Sequence, residues 1–283
     1  MENPVDLEYS WFIKKLQEVT GINLGGYKPD QMKRLLGRTM QQAGADNYVN
    51  CIKILQEHPE GAAAFLDSVT INVSYLFRDK DRWAQLSAHL LAELSSPERK
   101  GKLFRVWSAG CSIGAEPATL SIILNDLACS GKCGHFKYNI LATDIDNSVL
   151  DRARAGIYSD KEVTYVPPGF MARYFVETPR PESGWAIKNT AQSFYKIKPA
   201  LLSAIEYRKH NIFDELHEKE FDLIVCRNVI IYFTREVTDK LISKFGGYLL
   251  PGSLLFIGGT ELIFNPESLG LVNLTGGIYR KNK

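Results

Sequence analysis

The sequence predicts an α/β fold, in which a Rossmann-like domain carries a small inserted antiparallel β-subdomain and follows an all-α N-terminal domain. Apolar residues recur at helical spacing up to about residue 70, with no strand pattern. After residue 100, short apolar strands alternate with helices. Residues 158–205 interrupt that alternation with five prolines. We therefore expect a helical domain over 1–80 and an α/β domain over 81–283, with the β-subdomain at 158–205.

The helical domain is predicted from the spacing of its apolar residues. Phe12, Leu16 and Val19 share one helix face until Gly21 breaks the pattern. Further helices are predicted over 29–43, 48–58 and 61–69.

The first elements of the α/β domain follow the order of a nucleotide-binding unit: strand, glycine-rich turn, helix, strand and acidic residue. They are predicted over 104–109, 110–114, 116–127 and 138–143, with the acid at Asp144. Strand-like pieces at 185–188 and 193–197 predict the inserted sheet. Regular order then resumes, with strands at 205–209, 221–226 and 254–258, a helix over 235–249 and a terminal strand pair at 270–273 and 277–281.

Composition argues against several classes of protein. The chain has 283 residues with 34 basic and 32 acidic side chains, so its net charge of +2 attracts neither nucleic acid nor a membrane surface. No apolar run reaches the roughly 18–20 residues that cross a bilayer, and the N-terminus lacks the pattern of a signal peptide. We expect a cytoplasmic protein that is not embedded in a membrane. The five cysteines lack ligand-like spacing, which predicts neither disulfides nor a metal site.

The turn from Ser108 to Gly114 is the first candidate for ligand binding. Its glycines lack a Cβ atom and let a ligand approach the backbone. Turns of this kind also serve packing alone, and both interpretations stay open. The turn lacks the full dinucleotide fingerprint and the lysine of a phosphate-binding loop, which disfavours a nucleoside triphosphate as ligand.

Asp144 ends the next strand and is the second candidate. A carboxylate there can accept hydrogen bonds from both ribose hydroxyls of an adenosine-containing cofactor. The alternative is a cap for the helix that follows. Asp146 is better placed for capping, which favours Asp144 as the ribose ligand.

Polar residues also follow the buried strand over 221–226. Arg227 and Asn228 come directly after it, and Tyr232 follows four residues later. They belong either to a ligand site or to a cap on the strand end, and the sequence favours neither. Arg78, at the junction of the two predicted domains, forms either an interdomain salt bridge or a fork that holds a substrate carboxylate.

Together these segments resemble the CheR family of chemotaxis-receptor glutamate O-methyltransferases. The family pattern Asn-x-Thr-x-Phe-Phe-Arg corresponds to residues 72–78, and Ser-Ala-Gly-Cys-Ser-x-Gly-Glu-Glu-Pro corresponds to 108–117. Thr/Ser-Asp-Ile-Asp corresponds to 143–146, and Cys-Arg-Asn-Val-x-Ile-Tyr-Phe to 226–233. The similarity runs from about residue 10 to residue 281, and four linked motifs are far more specific than one.

The resemblance implies a class I methyltransferase domain that binds S-adenosylmethionine, releases S-adenosylhomocysteine and uses no metal. It assigns cofactor contacts to Asn72, Ser74, Arg78, Glu116, Asp144, Asn211, Ile212, Arg227 and Asn228. It places Arg78 and Tyr232, as catalytic residues, beside the transferred methyl group and the substrate carboxylate. The implied reaction converts glutamate side chains of chemotaxis receptors into glutamyl methyl esters.

The chain departs from the family pattern at a few positions. Ser74 replaces threonine and keeps the hydroxyl, and Leu76 replaces a phenylalanine. The other departures are Ala115 for glutamate, Ala118 for tyrosine and Gly259-Thr260 for the histidine-serine that precedes Glu261. None removes a residue assigned to the reaction, and their effect on affinity stays open.

A carboxylate acceptor agrees with the residues of the motifs. A glutamate side chain, with a pKa of about 4.3, is ionised at neutral pH and needs no strong general base. None of the five histidines falls within the four motifs. Three alternatives stay open: a non-catalytic regulator that binds S-adenosylmethionine, a methyltransferase with another protein or small-acid acceptor, and a dinucleotide-dependent oxidoreductase. The incomplete glycine fingerprint disfavours the last.

The expected partners are the cytoplasmic domains of methyl-accepting chemotaxis receptors, whose methylation sites lie on acidic helices. The chain carries Lys28, Lys33, Arg34 and Arg38 along one predicted helix, which favours that helix as a docking surface. A solvated helix face explains the same residues at least as well.

Overall fold

The computed structural model describes residues 6–21, 23–58, 61, 65, 74–181, 193–259 and 261–282. The chain divides into two compact units, one formed by Met1–Ile71 with Ile230–Lys240 and the other by Asn72–Val229 with Leu241–Lys283. Each unit has its own apolar core. The domain boundary expected at residue 80 stays a prediction.

The first unit is built around α1 (Leu7–Thr20), α2 (Pro29–Gln42) and α3 (Tyr48–Glu57), close to the predicted helices. Asp6 caps α1 by accepting a hydrogen bond from Tyr9 N at 3.0 Å. Most of the helix predicted over 61–69 lies outside the described residues.

Residues 230–234 also belong to this unit. Thr234 N donates to Gly26 O at 3.0 Å, and Lys28 N donates to Tyr232 O at 2.8 Å. The rings of Tyr27 and Phe233 meet edge to face with centroids 4.8 Å apart. The short helix that carries Tyr232, a 3-10 helix over Ile230–Tyr232, is therefore held by backbone near the start of α2.

The second unit contains the α/β elements. In chain order they are α4 (Lys80–Leu94), β1 (Leu103–Ala109), α5 (Ala115–Cys129), β2 (Lys137–Asp144), α6 (Asn147–Ala155), β3 (Ile157–Ser159), α7 (Pro168–Tyr174), β4 (Phe175–Thr178), β5 (Phe194–Ile197), α8 (Pro199–Leu202), β6 (Ile205–Lys209), β7 (Phe221–Cys226), α9 (Arg235–Tyr248, from residue 241 onward in this unit), β8 (Leu249–Ile257), β9 (Leu271–Thr275) and β10 (Ile278–Lys281). The helix α4 has no counterpart among the predicted elements, although its buried side chains Trp83, Leu86, Leu90 and Leu94 repeat at helical spacing.

Seven strands form one sheet in the order β6-β2-β1-β7-β8-β10-β9. The first five are parallel, and β10 pairs antiparallel with both β8 and β9. Every residue of β7 is buried, as expected for a central strand covered on both faces. The chain winds outward from β1 in one direction and then from β7 in the other, so the strand order reverses between these two strands.

The inserted subdomain is confirmed. The short strands β3, β5 and β4 form an antiparallel sheet in that order between α6 and β6. The predicted strand over 193–197 is β5, whereas 185–188 lies outside the described residues.

The strand β8 begins five residues before its predicted start. Its pairing with β7 shifts from Phe221–Leu249 to Leu223–Leu254, and the resulting β-bulge contains Pro251 and Gly252.

A buried ion pair closes the amino-terminal end of the sheet. Asp222 has 3% of its surface exposed and accepts a hydrogen bond from Arg105 N at 2.7 Å. Its carboxylate also pairs with Arg99, which bonds Glu93 at 3.2 Å. One carboxylate on β7 thus fixes both the neighbouring strand β1 and the 3-10 helix Pro97–Arg99 that precedes it.

We expect Asp222→Ala to lower the free energy of unfolding by about 3 kcal/mol, because it removes one of the two carboxylates that pair with Arg99 and leaves the Arg105 N–H without its acceptor. Urea denaturation followed by circular dichroism measures the change. The matched control is Glu220→Ala, since Glu220 forms an exposed ion pair with Arg105 at 3.7 Å and should contribute little. Equal stabilities of the two variants would contradict the assignment.

Candidate active site

The carboxyl ends of the parallel strands lie along one edge of the sheet. The strand register pairs Ala109 with Thr143, Asp144 with Lys209, and Cys226 with Ile257. Asp144 is the last residue of β2, and the loops after β6 and β7 carry four more of the residues predicted to bind the cofactor. The crevice of an open α/β sheet lies at this edge, where the strand order reverses.

The glycine-rich turn after β1 is held against its neighbours. Gly110 N donates to Thr143 O at 2.8 Å, and a Cβ atom at Gly110 would lie 2.7 Å from Val229 Cγ2. A Cβ at Gly114 would lie 2.8 Å from the Cβ of Ala153. Both glycines have φ near +80°, in the left-handed region. Packing against the loop after β7 and against α6 therefore requires these glycines, whatever the turn binds.

Asp144 lies at the end of β2 as predicted, and two backbone groups hold its carboxylate. Oδ2 accepts from Ser112 N at 2.8 Å and Oδ1 accepts from Asp146 N at 3.1 Å. A carboxylate has about four acceptor positions, so capacity for two further donors remains. Asp146 caps α6 by accepting from Ser148 N and Val149 N, which confirms its predicted role. Burial raises the pKa of Asp144, and hydrogen bonds from backbone N–H groups, first those of Asp146 and Ser112, oppose the rise.

Glu116 stands in the first turn of α5 beside the end of β1. Its Oε1 accepts a hydrogen bond from Ser108 Oγ at 2.7 Å. Burial raises its pKa to about 7, while Arg227 and the bond from Ser108 act in the opposite direction. A carboxyl group whose ionisation is costly in the free protein is typical of a site that receives a positive charge.

Arg227 follows β7 and is buried, with 7% of its surface exposed. Its Nη2 donates to Asp79 Oδ2 at 2.7 Å, and its guanidinium lies 5.0 Å from the ring centroids of Trp83 and Phe256. Within the described part of the chain, its buried Nε has no hydrogen-bond partner. Burial lowers its pKa, and the carboxylates of Glu116 and Asp79 oppose that shift.

The segment before α4 places Arg78 between two residues with left-handed backbone. Phe77 has φ 55° and Asp79 has φ 60°, both unusual for residues with a side chain. Phe77 N donates to Thr119 Oγ1 at 3.0 Å, which ties the segment to α5. Asp79 ties it to the end of β7 through Arg227. Arg78 is therefore held at the same edge of the sheet as Asp144 and Glu116.

The remaining assigned residues are distributed as follows. Ser74 is half-buried in the segment before Arg78, and Asn72 lies outside the described residues. Asn211 and Ile212 follow β6 and are half-buried, and Asn211 Oδ1 accepts from Phe213 N at 3.1 Å. Asn228 follows Arg227 with φ 60°.

Tyr232 lies in the first unit, on the 3-10 helix held by residues 26–28. The sequence assigned it to the α/β domain on chain order alone. Its proposed place beside the reacting groups stays a prediction.

Sequence reasoning missed one residue at this edge. Glu261 follows β8 and is buried, with its carboxylate directed at the backbone of Asn228, Val229 and Gly258. The signal was available, because an acid close behind a buried parallel strand lies at the ligand edge of the sheet. In the sequence, however, the residue stands out only as the end of a segment that departs from the family pattern.

The described residues offer neither a metal cluster nor a membrane span. No group of three or more histidine, cysteine, aspartate or glutamate side chains among them could hold a metal ion. No helix in the same part of the chain is long and apolar enough to cross a membrane.

Comparison with known proteins identifies the family. Residues 72–278 match the family model described as CheR methyltransferase, SAM binding domain, and residues 7–70 match CheR methyltransferase, all-alpha domain. A chemotaxis protein methyltransferase of Listeria innocua is 34% identical over 277 residues, which are 98% of each chain. That of Borreliella burgdorferi is 30% identical over 281 residues, 97% of this chain and 94% of the relative. The Escherichia coli protein of that name is 29% identical over 259 residues, 90% of this chain and 84% of the relative.

The matched regions agree with the described architecture. The all-α family model covers the helical residues, and the SAM-binding model covers the seven-stranded sheet with its inserted subdomain. The expected α/β fold and the S-adenosylmethionine cofactor are thereby confirmed. From its helical N-terminal residues to the last strand of its sheet, the chain belongs to the CheR methyltransferase family.

Proposed function

We propose that the protein transfers the methyl group of S-adenosylmethionine to glutamate carboxylates of chemotaxis receptors. The observation that carries this proposal is the position of Arg78. Its neighbour in the chain, Asp79, forms an ion pair with Arg227 at 2.7 Å. It brings a cation suited to an acceptor carboxylate to the edge of the cofactor domain. The curated relatives, which bear the name chemotaxis protein methyltransferase, support the choice of substrate.

The residues at this edge fit the cofactor. Asp144 keeps acceptor capacity for two ribose hydroxyls, Glu116 offers a carboxylate to a positive charge, and Arg227 has a buried Nε to donate. S-adenosylmethionine supplies an electrophilic methyl group on a positively charged sulfur and leaves as neutral S-adenosylhomocysteine. We propose the full set of cofactor contacts as Asn72, Ser74, Arg78, Glu116, Asp144, Asn211, Ile212, Arg227 and Asn228.

The chain's own contribution is positioning rather than proton transfer. The acceptor carboxylate is ionised at neutral pH, so no side chain has to remove a proton from it. Arg78 would hold that carboxylate in line with the methyl group, and Tyr232 would line the path of transfer with its hydroxyl. Holding two reactants in this arrangement lowers the barrier by converting a bimolecular step into an effectively unimolecular one.

Arg78→Ala should lower kcat/KM for a receptor fragment at least about 100-fold while the protein stays folded, because the acceptor carboxylate loses its orienting fork. The assay supplies labelled S-adenosylmethionine and receptor cytoplasmic fragments and counts base-labile methyl esters. Arg105→Ala is the control, since Arg105 lies on the same sheet away from the carboxyl edge. Wild-type rates in Arg78→Ala would refute the role, and cofactor binding without ester formation in the wild type would favour a regulator.

The affinity for S-adenosylmethionine should rise about tenfold from pH 6 to pH 8. With a pKa of about 7, Glu116 is mostly protonated at pH 6 and mostly ionised at pH 8, and only the ionised form attracts the cationic cofactor. Calorimetric titration at several pH values measures the slope. In Glu116→Gln the rise should disappear, and an unchanged pH profile in that variant would show that another group titrates.

The four basic residues of the proposed docking surface differ in their contacts, and Lys28 directly precedes α2 whereas the other three lie on it. Lys28 Nζ donates to Ile231 O at 2.8 Å. Lys33 pairs with Asp6 at 2.6 Å and lies 5.0 Å from the centroid of a tyrosine ring. Arg34 and Arg38 are exposed and stand one helical turn apart. We therefore propose that Arg34 and Arg38 meet the acidic helices of the receptor.

The variant Arg34→Glu/Arg38→Glu should raise the Kd for a receptor fragment about tenfold at low ionic strength, because it opposes like charges across the interface. The difference should shrink as salt is added. Lys53→Glu on α3, where the lysine side chain is 70% exposed, is the matched control for a change of surface charge. Equal Kd values for the wild type and the double variant would rule out this surface.

A further inference from the structure

Glu261 closes a turn behind β8. Its backbone N–H donates to Gly258 O at 3.0 Å, which folds the side chain back over the end of the strand. Oε2 of the carboxylate accepts from Asn228 N at 2.9 Å and from Gly258 N, and Oε1 accepts from Val229 N at 3.1 Å. With 3% of its surface exposed, this one side chain joins the loop after β7 to the turn after β8.

The three N–H groups belong to backbone just beyond the last paired residues, Cys226 and Ile257. Asn228 adopts φ 60°, so regular strand pairing does not extend to it. A buried N–H without an acceptor is unfavourable, and a carboxylate, which only accepts, suits several converging donors. A glutamine here would instead turn one of its two polar atoms into a donor facing an N–H.

The same loop sets the position of the glycine-rich turn. The Val229 side chain packs so closely on Gly110 that a Cβ atom there would lie 2.7 Å from Val229 Cγ2. Since Glu261 fixes Val229 N, it fixes the side chain that packs on Gly110. One carboxylate thus sets the backbone of Asn228 and the packing of the turn after β1, two of the segments that line the proposed cofactor site.

We propose that Glu261 is a positioning residue for the cofactor: its carboxylate holds Asn228 and Val229 in the backbone conformation that binds S-adenosylmethionine. The inference rests on the proposed function, because Asn228 is one of the proposed cofactor contacts.

Two variants remove the contact in different ways. Glu261→Gln keeps the shape and changes an acceptor into a donor. Gly258→Ala keeps the glutamate at position 261 unchanged in the sequence. It adds a Cβ atom that would overlap Glu261 Oε2, so the carboxylate has to shift. Calorimetric titration with S-adenosylhomocysteine should give a Kd about tenfold higher for both variants. Asp222→Asn is the control, because Asp222 is a buried carboxylate that accepts from a backbone N–H far from this edge, and it should lower Tm without changing Kd.

A double-mutant cycle separates positioning from general stabilisation. Because Glu261 acts in part through Asn228, the increase in Kd for Glu261→Gln/Asn228→Ala should be smaller than the product of the two single increases. Independent effects would multiply, and that result would overturn the inference. So would a Kd for Glu261→Gln within about twofold of the wild type, or failure of both single variants to fold. A wild-type protein that binds S-adenosylhomocysteine but methylates no receptor fragment would contradict the proposed function alone.

Discussion

The candidate site depends on one constraint, the common register of five parallel strands in the second unit. Parallel pairing places the ends of β1, β2, β6, β7 and β8 along one edge, and the loops that leave them have to share that edge. Because the winding direction reverses between β1 and β7, the loops there diverge and leave a crevice. Asp144 lies at this crevice because it is the last residue of β2, and Arg227 lies there because it directly follows β7.

The loops at this edge are held in conformations that side chains rarely adopt. Phe77, Ser112 and Asn228 all have φ between 47° and 60°. Each such residue costs about 1 kcal/mol or more and persists only where its surroundings hold it. The holding groups are Thr119 Oγ1, the carboxylate of Asp144 and the carboxylate of Glu261, each of which accepts from the N–H of one strained residue. Polar side chains at the edge therefore shape the backbone as well as offering contacts to a ligand.

Burial and charge oppose one another at the centre of the site. Burial raises the pKa of Glu116 to about 7 and lowers the pKa of Arg227, while the attraction between the two groups works against both shifts. Asp79 partly neutralises the positive charge of Arg227, although the Asp79 side chain is 51% exposed to solvent. The free protein thus leaves Glu116 incompletely compensated, which is the condition under which a cationic ligand gains affinity from a buried carboxylate.

The sequence by itself determined the fold class, the order β1, glycine turn, α5, β2 and Asp144, and the insertion before β6. These features depend on local periodicity and turn chemistry, which neighbouring residues carry. Only the tertiary structure decided that residues 230–240 join the helical unit, that Lys28 and Lys33 are engaged within it, and that Glu261 holds Asn228. The physical reason is that these contacts join groups up to about 200 positions apart, where no local pattern records which backbone N–H or carbonyl a side chain will meet.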